Sequence, residues 1–269
     1  MSELEKPLLL NGKRKCAKKQ EKYIHKYYNN AVCETDTKGH ATPDGRSRTE
    51  IVLDATDGFI PLWAKDVTLR WRFQEQSLAV FRRPEAAKRY LRKLFADGVL
   101  LWGDAAPIKF TEVRENWDFE IVVHGRRRCT RNGCTLASAF FPDGGRHHLN
   151  IYPTMFEQDE QEQVETMAHE IGHIFGLRHF FADIRERRWR SEIFGTHSPF
   201  SIMNYGPESR MTRSDQNDLE TLYRLAWTRE LTEVNGTPIR LVQPFSALRH
   251  SEMTQNLAAS CQPAKACRC

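Results

Sequence analysis

Apolar positions along this chain follow two periods. Val67, Leu69, Trp71 and Phe73 alternate with polar neighbours, as in a half-buried strand, and Ile108 with Phe110, then Phe119, Ile121 and Val123, then Leu149 and Ile151 mark further strands. Elsewhere the period lengthens to that of a helix. Pro84 suits a first helical turn, and Ala87, Tyr90, Leu91, Leu94 and Phe95 form one stripe behind it. A second helix is predicted to start between Glu157 and Glu162, where carboxylates meet the positive end of the helix dipole. It would bury Val164, Met167, Ala168, Ile171, Ile174 and Phe175. Thr212 and Asp215 read as a capping box that opens a third. Together these elements predict an α+β domain over residues 51–230, a twisted sheet backed by helices. Residues 1–50 are polar and contain the turn-rich run Thr42-Pro43-Asp44-Gly45, so they are expected to be an extension or linker. Past about residue 230 the pattern weakens. Residues 231–269 are expected to be a C-terminal extension ending in Cys261, Cys267 and Cys269.

The second helix carries the chemistry. His169 and His173 stand four residues apart, hence side by side on one helical face, where both can bind one ion. Gly176 lets the backbone leave the helix through a left-handed or otherwise strained conformation, and the chain can then return His179 as a third ligand. Three protein ligands leave one zinc position open for water, which separates a catalytic ion from a structural one. Glu170 is the expected general base. Histidines with ordinary surface or core roles are the bland alternative, and the short H-E-x-x-H pattern does arise by accident. The chain has 10 His and 15 Gly, so requiring Gly176 and His179 as well multiplies the accidental frequency by about 0.002.

Three stretches around the helix resemble the metzincin metalloproteases, and within them the matrixin catalytic domain. Leu136-Ala137-Ser138-Ala139-Phe140-Phe141-Pro142 is similar to the edge strand that binds peptide above the metal. Ser201-Ile202-Met203-Asn204-Tyr205 resembles the Met-turn, whose methionine lies beneath the zinc. Met211 through Tyr223 is similar to the closing C-terminal helix. The resemblance implies a zincin-like fold with a twisted mixed sheet, an active-site helix and a C-terminal helix. It implies a zinc endopeptidase acting on extended protein or peptide substrates, with Leu136, Ala137, Ser138, Ala139 and Phe140 as the substrate strand. The Met-turn ends in Asn-Tyr, as in astacins and serralysins, which gives Tyr205 an oxyanion-stabilising role; a buried tyrosine capping a turn is the alternative. A further departure concerns the second, structural zinc of matrixins. Ser138 stands where a ligand histidine is expected, the acidic glycine-rich loop is missing, and His148 alone aligns with a ligand of that site. One zinc per chain is therefore expected. Calcium has no supporting feature.

Cysteine and charge refine this picture. Seven cysteines cannot all pair within the chain. A hairpin turn at Asn132-Gly133 would set Arg131 opposite Cys134, so a Cys129–Cys134 disulfide requires a wider loop. Free thiols, that disulfide, or a substitute zinc site of Cys129, Cys134, His124 and His147 or His148 are the alternatives. Neither Cys16 nor Cys33 lies in the Pro-Arg-Cys-Gly-type sequence of a matrixin latency switch. The whole formal charge of +5 is accounted for within the first 26 residues, where Lys6, Lys13, Arg14, Lys15, Lys18, Lys19, Lys22 and Lys26 face only Glu3, Glu5 and Glu21. Residues 1–30 read as a solvated arm, with nucleic acid or an anionic surface as the functional alternative and a nucleic-acid-associated protease as its consequence. A non-catalytic zinc- or partner-binding protein on the same scaffold is a further alternative, against which Glu170 stands, since metal binding alone does not require it. No apolar run is long enough to span a bilayer, and Leu8-Leu9-Leu10 is too short for a signal-peptide core. The expectation is a cytoplasmic protein or one exported without an ordinary signal, of unspecified oligomeric state.

Overall fold

Leu69, Trp71 and Phe73 turn their side chains inward from one strand while the residues between them remain partly accessible, and the core builds on that face. The computed structural model describes residues 31–32, 51–55, 57–130, 133–178, 191–194, 201–203 and 209–248. In chain order the strands are β1 (Ala31–Val32), β2 (Ile51–Asp54), β3 (Ile60–Trp63), β4 (Thr68–Phe73), β5 (Lys109–Glu112), β6 (Phe119–Val123), β7 (Cys129–Thr130), β8 (Gly133–Thr135), β9 (Ala137–Ser138), β10 (His147–Ile151), β11 (Leu177–Arg178), β12 (Ser191–Phe194), β13 (Glu233–Val234) and β14 (Thr237–Val242). The helices are α1 (Pro84–Trp102), α2 (Glu160–Ile174) and α3 (Arg213–Thr228). The fold is α+β.

The main sheet has the order β5-β4-β6-β10-β9, in which the first four strands run parallel and β9 runs antiparallel to β10. It is a mixed sheet, and β9 is its edge. Phe95 of α1 packs among Trp71, Phe110 and Phe119, which fixes that helix on the sheet. Gly98 lets α2 come close: a Cβ there would stand 2.8 Å from Met167 and 3.1 Å from Ile171. The indole N–H of Trp102 donates to the carbonyl of Ala168 at 2.9 Å across the same contact.

Both ends of α2 are satisfied. Asp159 accepts from the backbone N–H of Glu162, and the Glu162 carboxylate accepts in return from that of Asp159, a capping box that starts the helix after a 3-10 turn at Pro153–Glu157. At the other end, the indole N–H of Trp63 donates to Ile174 and the Tyr223 hydroxyl donates to Phe175, at 2.7 and 3.0 Å. Burial pushes the Tyr223 phenol's pKa well up, which keeps that donor protonated.

Smaller sheets complete the fold. β2 lies between β11 and β12, antiparallel to both. β14 pairs in parallel with β3, so the stretch of the expected C-terminal extension from Glu233 to Val242 is docked on the domain. β1 pairs with β8 in parallel.

One register differs from expectation. Cys129 stands opposite Cys134 and Thr130 opposite Gly133, and the two cysteines are joined in a disulfide. Pairing of Thr130 with Gly133 sets the register one residue away from that of an Asn132-Gly133 turn, so the disulfide forms without the wider loop expected for it. The substitute zinc site is overturned, because both sulfurs are bonded to each other. Its expected histidines are engaged elsewhere: His124 hydrogen-bonds Asn150 Oδ1 at 2.9 Å, and His147 stacks on Phe140.

Candidate metal centre

Helical spacing brings the rings of His169 and His173 to 4.9 Å between centroids, nearly perpendicular to each other. Both are buried, as is Glu170 beside them. The Nδ1–H of His169 donates to the carbonyl of Ile202 at 2.8 Å, and that of His173 donates to the carbonyl of Leu177 at 2.7 Å. Carbonyls only accept, so in the neutral imidazoles both protons are on Nδ1 and both lone pairs are on Nε2. This is the tautomer and the outer hydrogen bonding that a metal-ligating histidine requires.

The helix ends as the glycine predicts. Phe175 leaves helical geometry and Gly176 takes φ +92°, a conformation strained for any residue with a side chain. A Cβ at Gly176 would also stand 3.2 Å from the carbonyl of Pro61. The chain then enters β11, whose Leu177 supplies the carbonyl for His173 and pairs with Leu53 of β2. Next to it, Arg178 is fully buried, with its guanidinium 3.8 Å from the Asp54 carboxylate and 5.8 Å from the centre of the Phe141 ring. The charge is thus held by a carboxylate and an aromatic face. Expected ligand His179, the residue after Arg178, lies outside the described residues, as does Tyr205.

Met203 lies against the helix at Gly172, where an added Cβ would collide with its sulfur and approach Trp102 to 3.1 Å. Its turn is held from α3. Asp215, the third residue of that helix and fully buried, accepts from the hydroxyl of Ser201 at 2.6 Å and from both the N–H and the hydroxyl of Thr212 at 2.9 and 2.7 Å. The Ser201 hydroxyl oxygen in turn accepts from the N–H of Met203 at 3.0 Å. Sequence reasoning found Asp215 as a helix cap; its grip on the Met203 turn depends on a distant segment and has no local signal.

Among the expected substrate residues, Ala137 and Ser138 form β9, while Leu136 and Phe140 are buried beside it and Ala139 is partly buried. The hydroxyl of Ser138 accepts from the Asn150 side chain at 3.2 Å. The following Phe141 presents its ring edge-on to His173 at 5.6 Å, a contact the sequence did not suggest.

The matrixin family model matches residues 62–184. Human stromelysin-3 is 31% identical over 122 residues, covering 41% of this chain and 25% of that protein. Rat stromelysin-3 is 30% identical over 180 residues, covering 63% of this chain and 34% of that protein. Metalloendoproteinase 1-MMP of Arabidopsis thaliana is 24% identical over 173 residues, covering 56% and 46%. The chain thus spans about a quarter to a third of the length of the stromelysin-3 proteins it matches. Among solved structures, myroilysin is similar at 13% identity and a TM-score of 0.44, over 64% of this chain and 98% of that one. Residues 62–184, which include the helix that carries His169 and His173, are thus similar to the matrixin family.

Proposed function

We propose that this chain is a zinc-dependent endopeptidase that cleaves extended protein substrates. The observation that carries this reading is the fixing of both α2 imidazoles by main-chain carbonyls, which leaves two neutral nitrogen donors on one helix face beside a buried carboxylate. That donor chemistry fits zinc, which the matrixin family binds. His169 and His173, with His179, would hold one ion. Bound zinc supplies Lewis-acid polarisation of the scissile carbonyl and makes water more acidic. Glu170 takes a proton from the attacking water and returns it to the leaving amine. Substrate adds as a strand along Leu136–Phe140, a role supported by the position of β9 at the edge of its sheet. Tyr205 donates its hydroxyl to the oxyanion that develops during attack. Met203 gives the helix a packed floor.

An unbiased peptide-library digest with purified full-length protein tests the reading. Cleavage that a chelator abolishes and zinc restores is expected. Chelator-insensitive cleavage, or none by folded zinc-loaded protein, would defeat it.

A further inference from the structure

We infer that the C-terminal turn around Ser246 positions the substrate-binding strand, with Asp118 as its anchor. This inference rests on the proposed endopeptidase role of Leu136–Phe140. Asp118 is almost fully buried just ahead of β6, and its carboxylate accepts from the backbone N–H of Ser246 at 2.7 Å and the hydroxyl of Ser246 at 3.0 Å. The same carboxylate accepts from the N–H of Arg70 in β4 at 2.7 Å, and the carbonyl of Asp118 accepts from the N–H of His147 at 2.9 Å, where β10 begins. One residue thus joins β4, the start of β10 and the C-terminal turn. A buried carboxylate with charge-assisted bonds from three groups has a single favoured geometry, since any retreat would leave charge desolvated and unpaired.

The turn does not end at Asp118. It reaches the loop that connects the edge strand β9 to β10. The Arg146 guanidinium lies 4.4 Å from the ring centre of Phe245 and 4.4 Å from that of Trp117, held between the two aromatic groups. At Gly144 a Cβ would come within 3.1 Å of Leu248 and 3.4 Å of the carbonyl of Gln243, so the C-terminal segment lies against the loop backbone. On its other side the loop is fixed by Phe140, stacked on His147 at 4.4 Å, and by Phe141, edge-on to His173. The loop is therefore clamped between the C-terminal turn and the metal helix, and it leads directly out of the strand proposed to pair with substrate. Release of the turn frees one side of this clamp and lets the strand's C-terminal end shift, while the imidazoles and their carbonyl partners on the other side keep their places. Strand addition needs its carbonyls and N–H groups in register, so the effect falls on substrate capture.

The test compares wild type, Ser246→Ala, Ser246→Thr and Phe245→Ala in the full chain, each loaded with zinc. Losing a hydrogen bond to a buried carboxylate, or the aromatic face beneath Arg146, is expected to raise KM for an extended peptide about tenfold, with kcat and zinc content little changed. Ser246→Thr keeps both donors and is expected to restore KM. Wild-type turnover with an unaltered KM in folded Ser246→Ala and Phe245→Ala overturns the positioning role alone. A fall in kcat together with zinc content assigns the turn a general structural role and also overturns it. Absence of turnover in zinc-loaded wild type defeats the endopeptidase reading itself.

Discussion

Asp215 and Ser201 meet at 2.6 Å, carboxylate to hydroxyl, and through that bond the first turn of α3 reaches the segment that holds α2. Ser201 precedes Ile202, whose carbonyl receives the Nδ1–H of His169. A cap on one helix therefore fixes the orientation of an imidazole on another. Outer hydrogen-bond partners of this kind typically change metal affinity or activity by about 10- to 100-fold when removed. Asp215→Asn is accordingly expected to weaken zinc retention by about tenfold. Chelator competition monitored by residual zinc reads this directly; unchanged affinity in a folded variant would confine Asp215 to capping.

Glu170→Ala should separate binding from turnover. The imidazoles remain while the proton acceptor is lost, so zinc content should persist as kcat falls by about 10²- to 10⁴-fold. Near-normal turnover by protein free of contaminating protease would rule out the assigned base.

Gly172→Ala sets two effects against each other. Alanine favours a helix over glycine by about 1 kcal/mol, whereas overpacking a filled core costs about 1–3 kcal/mol. The new methyl would collide with the sulfur of Met203, and neither Met203 nor Trp102 has space to retreat, since both are buried. The clash should win. A lower Tm is expected, with weaker zinc retention as the Met203 turn is displaced; a raised Tm would show that the turn yields easily.

Cys129→Ser removes a short cross-link. By loop-closure entropy, the disulfide contributes about 2 kcal/mol, so a modest loss in denaturant midpoint is expected. Zinc per chain should stay the same in wild type and variant by elemental analysis. A zinc equivalent lost with the substitution would restore a metal role for these cysteines.

Local features of the sequence were the ones that could be read. Alternation from Val67 to Phe73 appears as β4, the stripe from Ala87 to Phe95 as the buried side of α1, and Thr212 with Asp215 as a reciprocal cap. At the candidate site, the four-residue spacing of His169 and His173 is local, and so their shared face on α2 was legible. What escaped depends on partners far apart in sequence. Nothing in Ile202 signals that its carbonyl will hold the His169 imidazole, and nothing in Ser246 signals Asp118. The Cys129–Cys134 hairpin shows another limit. Asn-Gly is a strong turn signal, yet a disulfide closes the register in which Cys129 faces Cys134.

The threading of β2 between β11 and β12 bears on the order of assembly. Leu53 pairs with Leu177, so the strand that steadies the exit from α2 comes from the far N-terminal part of the domain's sequence. Contacts between such distant segments close large loops, and their entropic cost is met only after much of the core has formed. Small zinc modules gather their ligands around the ion and fold because of it. Here the residue whose carbonyl orients His173 is itself held by long-range pairing, Leu177 with Leu53. Zinc should therefore enter a largely completed protein, stabilising the native state without nucleating it.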